Sequence, residues 1–190
     1  MNYFLTLNAA ATDHPVSLAE AKLHLRQDGD DEENLIEALI AAATSAVEEE
    51  TGRALITQTW DVAVSPPAGK VSIPLAPVAS ISAMNYYDSD DVSQSLTVGD
   101  FYLFKDNNRA SVCPKDNIDW PTMKDRPDAL TITFIAGYGD ETAVPQPLKQ
   151  AILMLVAHWY ENREAVGRRM NNLPLAFQHL LAQYRLGWIK

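Results

Sequence analysis

The hydrophobic period of this chain changes twice, and those two changes limit its fold more than any other feature. Up to residue 54 the pattern is helical. Ser17-Leu18-Ala19-Glu20 has the spacing of a capping box, which predicts a short helix ending between Arg26 and Gly29. The acidic run over residues 28–33 then predicts the start of a second helix, capped by Asp30 or Asp31, because anions are favoured at a helix N-terminus. That helix carries Leu35, Ile36, Leu39, Ile40, Ala43 and Val47 as an apolar stripe and closes at Thr51-Gly52. From Leu55 the period shortens. Segments 55–64, 71–75, 78–88, 94–98, 101–104, 109–113 and 129–136 are rich in β-branched and aromatic residues and are separated by Pro, Gly, Asn and Asp, which predicts an antiparallel β-rich insertion. At Pro145 and Pro147 the helical period returns, with Leu148, Ile152, Leu155, Val156, Trp159 and Tyr160 on one stripe. A short last helix is expected near 175–183.

A chain of 190 residues reads as one domain with an insertion, large enough to bury a core. One cysteine, Cys113, excludes an internal disulfide and a thiolate zinc site. No apolar run approaches a membrane span, and the N-terminal stretch lacks the pattern of an export signal. The net charge of −10 argues against gripping nucleic acid by its phosphates. That charge is unevenly spread: residues 1–54 carry −8, 55–144 carry −6 and 145–190 carry +4. A polarised subunit of this kind suits contacts between a basic tail and an acidic body.

Candidate chemistry is thin. The run from Asp28 lacks the glycine that a calcium loop needs at its sixth position, and the one from Asp88 meets Val92 at its fifth, so these read as a helix start and a hairpin turn. His158, Glu161 and Asn162 share a helical face, which is the beginning of an acid-base or metal site, but no H-E-x-x-H motif accompanies them. No phosphate-cradling glycine loop and no nucleophile elbow is present. The residues point to a protein that binds or builds, with no cofactor and no metal.

Several segments, in order, resemble the head-tail connector (neck adaptor) family of tailed bacteriophages, prophages and gene transfer agents. They are SLAEAKLHLR at 17–26, DEENLIEALIAAATSAVEEETGRALITQTW at 31–60, Tyr86-Tyr87-Asp88, Trp120-Pro121, Ile135-Ala136-Gly137-Tyr138-Gly139, Val144-Pro145-Gln146-Pro147-Leu148-Lys149-Gln150-Ala151, and HWYENREAV at 158–166. The resemblance implies a structural virion protein, assembled in the host bacterial cytoplasm, that forms a ring of about twelve copies under the portal. Such a ring extends the DNA channel and offers a platform to a stopper or tail-completion protein. With the periodicity, it gives an expected fold that is α+β but mainly helical: a bundle of three to four helices with the β-rich insertion between the second and third long helices. The helical core is expected over 15–54 and 145–183, the insertion over 55–144 and a C-terminal docking tail over 184–190. Arg168, Arg169, Arg185, Leu186, Trp188 and Ile189 are the expected portal or subunit contacts, and Glu33, Glu37, Glu48 and Glu49 the expected channel-facing acids, repelling DNA phosphates so that the duplex slides. The alternatives are another neck ring, a stopper or terminator, and a metal-dependent hydrolase built on His158 and Glu161.

Overall fold

The computed structural model describes residues 3–162 and 175–187. The chain divides into two compact units: residues Met1–Ala11 with Thr57–Tyr138, and Thr12–Ile56 with Gly139–Lys190.

The first unit is built around a strand whose sequence alternates strictly. In β8 (Leu130–Ala136), Leu130, Ile132, Phe134 and Ala136 are buried while Thr131, Thr133 and Ile135 are half-exposed, the period-two signature of a sheet with one face on a core. Its neighbours are β2 (Gln58–Val64) and β4 (Val78–Tyr87), in register such that Val62 and Met84 both lie opposite Ile132. β1 (Tyr3–Ala9) pairs with the far side of β2, and the short β5 (Ser93–Ser95) with the end of β4. The order of this five-stranded sheet is β1-β2-β8-β4-β5, antiparallel throughout. A second sheet of three strands has the order β3-β7-β6, made of β3 (Val71–Ile73), β6 (Phe101–Lys105) and β7 (Ala110–Pro114). Val71, Ile73, Val112, Ala110 and Phe101 are its buried side chains.

The second unit holds four helices, α1 (Leu18–Leu25), α2 (Glu33–Thr51), α3 (Gln146–Glu161) and α4 (Leu175–Ala182). The capping box forms as its spacing predicts: the Ser17 hydroxyl accepts the Glu20 N–H, and the Glu20 carboxylate accepts the Ser17 N–H. Arg26, left-handed at φ 56°, ends α1. The residue before α2 is Glu32 rather than Asp30 or Asp31, and its side chain makes no capping bond; Asp30 is drawn instead to the Lys22 ammonium at 2.8 Å. α2 buries Ile36, Ile40, Ala43 and Val47, and α3 buries Leu148, Ala151, Ile152, Leu155 and Val156. Trp159 and Tyr160 of the predicted α3 stripe are half-buried.

All seven strand segments of the middle region form, but the expectation of a mainly helical protein is overturned. Among the described residues four helices and eight strands contribute nearly equal numbers of residues, and the strands form two antiparallel sheets. One reason is β1, a strand the sequence reading did not assign. The other is that many short strands weigh as much as a few long helices.

Candidate functional site

His158 lies in the last turn of α3, whose final carbonyls need partners from outside the helix. Asn162 serves one of them twice: its backbone N–H donates to the His158 carbonyl at 3.1 Å and its side-chain amide to the same oxygen at 2.7 Å. The Asn162 amide nitrogen also stands 3.5 Å from His158 Nδ1, while Glu161 is exposed to solvent. This is a helix terminus. Tyr160, one residue from Glu161, donates its hydroxyl to the Glu32 carboxylate at the head of α2. Among the described residues no group of three or more His, Cys, Asp or Glu side chains is arranged to hold a metal ion.

The polar chemistry of the helical unit goes into joining its helices. Lys149, buried on α3, donates to Glu20 of α1 at 3.0 Å. The Glu20 carboxyl is held below its ordinary range, first by the Ser17 backbone N–H and, against the opposing cost of burial, by Lys149 and the Ser17 hydroxyl. Lys22 bridges Asp30 at 2.8 Å and Glu33 at 2.6 Å, and its own pKa rises through these two bonds, Asp30 first.

These contacts divide the four acids expected to face a channel. Glu33 is engaged by Lys22, and Glu48 accepts the Leu55 N–H at 2.8 Å just beyond the end of α2. Glu37 and Glu49 are exposed. The C-terminal residues divide in a similar way. Arg53, a buried cation, donates from Nε to the Tyr184 carbonyl at 2.6 Å and lies 5.8 Å from the Tyr184 ring centroid. The Leu186 N–H donates to the Thr51 carbonyl at 3.0 Å, its side chain is only 2% exposed, and Arg185 pairs with Glu50. Arg168, Arg169, Trp188 and Ile189 lie outside the described residues.

Two features escaped the sequence reading. One is a node at Arg126 in the long connection between β7 and β8. Its guanidinium lies 3.8 Å from the Tyr87 ring centroid, bonds Asp128 at 2.6 and 2.7 Å, and bonds Asp91 at 2.8 Å. Lys124 adds a second cation to Asp91 at 3.1 Å. Asp91 is held below its ordinary pKa, chiefly by Lys124, and Arg126 is held above its own, chiefly by Asp128. The predicted turn at Asp88 forms beside it, with Asp88 Oδ1 accepting the Asp90 and Val92 N–H groups at 3.0 Å. The second feature is the exposed apolar surface of β1, whose one strand neighbour among the described residues is β2.

Among the described residues, polar side chains go into cross-links, helix ends and loop anchors of an α+β fold. The chain belongs to the head completion protein family, whose model matches residues 16–172. It is a structural component of phage-like particles and not an enzyme. Among solved structures it resembles a chain in the neck of an empty gene transfer agent particle computed with C6 symmetry, with a TM-score of 0.80, 24% identity and coverage of 96% of this chain and 95% of that one. A chain in the virion of a native gene transfer agent particle matches with a TM-score of 0.79 and 25% identity, over 96% of this chain and 95% of that one. A third, from the neck of the native particle computed with C12 symmetry, gives 0.74 and 25% identity, over 95% of each chain. A comparison with curated proteins returns no match.

Proposed function

We propose that this protein is a non-catalytic subunit of a closed ring in the virion neck, docked under the portal, where it joins capsid to tail and lengthens the DNA channel. The observation that carries this reading is the fold match over nearly the whole of both chains to subunits from particle necks computed with C6 and C12 symmetry, joined to the family assignment. On this reading one face of the ring meets the portal and the other a stopper or tail-completion protein. Arg168, Arg169, Trp188 and Ile189 remain the proposed portal or subunit contacts. Arg185 and Leu186 serve there through the segment they anchor, since the first is paired with Glu50 and the second is buried. The exposed Glu37 and Glu49 are the better placed of the four acids to face DNA, where negative charge keeps the phosphate backbone from sticking.

The test is assembly. Purified protein mixed with portal and viewed by negative-stain microscopy, with mass photometry for copy number, is expected to give closed rings on the portal. A protein that stays monomeric and never binds portal would refute the reading.

A further inference from the structure

Five of the nine large hydrophobic side chains left exposed among the described residues lie on just two strands, β1 and β6. On β1 they are Tyr3, Phe4 and Leu7, exposed by 48%, 55% and 45%; on β6 they are Tyr102 and Phe104, exposed by 40% and 50%. Each strand bounds its sheet: among the described residues only β2 is paired with β1, and only β7 with β6. The opposite edges differ in kind. β5 is Ser-Gln-Ser, and β3 is three residues long with Val71 and Ile73 both buried.

A sheet edge presents a row of unpaired N–H and C=O groups, and monomeric proteins guard such rows with charge, proline or shortness. β1 has seven residues with neither charge nor proline. β6 has one charge, Lys105, and its ammonium is turned back onto the Ala79 carbonyl. The two β6 rings are also held in place, with centroids 5.6 Å apart, Lys70 Nζ 5.0 Å from the Phe104 ring and Lys115 Nζ 5.6 Å from the Tyr102 ring. Backbone groups spaced along an extended edge are satisfied by another extended strand, and the uncharged side chains of β1 call for a partner of like character.

We propose that β1 of one copy pairs with β6 of the next, so that a backbone-bonded junction recurs at every subunit boundary of the ring. This rests on the ring reading above and adds the surface that makes the ring. The two edges are different surfaces of one chain, so their contact is head to tail and can close on itself, whereas β1 meeting β1 would stop at a dimer.

The experiment is disulfide trapping in the full chain, assembled on portal. Cys113 stands directly opposite Tyr102 in the β6–β7 register, so it is first replaced by Cys113→Ser. Thr6→Cys is then combined in turn with Tyr102→Cys, Leu103→Cys and Phe104→Cys. At least one pair is expected to give, on oxidation, a ladder of covalent oligomers beyond the dimer, while each single variant stays monomeric on a denaturing gel. Separately, Phe4→Lys and Phe104→Lys are expected to lower ring yield by about tenfold or more with unchanged circular dichroism. Intact rings without any ladder, a covalent dimer from Thr6→Cys alone, or lysine variants that keep ring yield within about twofold would each overturn this junction and leave the ring itself standing. Failure of the unmodified protein to form rings would overturn both.

Discussion

Leu186→Ala tests whether the C-terminal segment is part of the fold or a free docking arm. The Leu186 side chain is buried and its N–H is bonded to the Thr51 carbonyl at the end of α2. The substitution removes three carbons from that site. At about 0.8 kcal/mol each, the transfer contribution is about 2.4 kcal/mol, and incomplete collapse of the cavity carries such changes into a range of about 2–5 kcal/mol. For a chain of this length about 2–4 °C of melting temperature accompanies each kcal/mol, so the transfer contribution alone lowers the midpoint by about 5–10 °C. The measurement is thermal unfolding by circular dichroism, with hydrogen exchange on Thr51 to Leu55 reporting local loosening. Arg185→Gln is the control: its partner Glu50 is partly solvated, so it should cost under about 1 kcal/mol. A Leu186→Ala midpoint within about 1 °C of the parent would refute the claim that burial of this side chain holds the segment in place.

Other perturbations follow from the same contacts. The Glu20 stabilisation is fully present above the ordinary value of 4.5 and is lost as pH falls through the lowered folded value, so Glu20→Gln should flatten the acid limb of stability, by under about 1 kcal/mol for so solvated a carboxylate; an unchanged slope below pH 4.5 would count against the link. His158→Ala should shift stability by under about 1 kcal/mol and leave assembly on portal intact, because among the described residues its ring nitrogen meets the Asn162 amide at a helix end; loss of ring assembly in this variant would count against the structural reading. Arg126→Lys should make the segment between β7 and β8 several-fold more sensitive to limited proteolysis although charge is kept, because an ammonium cannot reproduce the two-pronged bond to Asp128 and the stack on Tyr87; parental resistance would refute the anchor.

Local signals were legible, and distant partners were not. The Ser17–Glu20 box, the left-handed stop at Gly52 and the alternation of β8 follow from residues within a few positions of one another. β1 carries no such signal. Tyr3-Phe4-Leu5-Thr6-Leu7 does not alternate because little of it is covered, and its partner β2 begins at Gln58, far along the chain. Without β1, and with short strands given less weight than long helices, the fold read as mainly helical. Glu33 and Glu48 are taken by the Lys22 ammonium and the Leu55 N–H, only 11 and 7 residues away but across the end of a helix, where helical spacing does not tell which side chains meet. The tail composition Arg185-Leu186 also gave no hint that the end of α2 supplies Glu50 and a bare Thr51 carbonyl for it.

The discontinuous make-up of the β unit bears on how the protein can be dissected. Its first strand is separated from the rest by the helices at 18–51, so an excised fragment covering 57–138 would carry β2 with an uncovered flank. Such a fragment is a receptor missing its ligand, and the heptapeptide YFLTLNA is that ligand. Supplying the peptide separately turns a folding contact into a titratable one, whose affinity can be measured residue by residue.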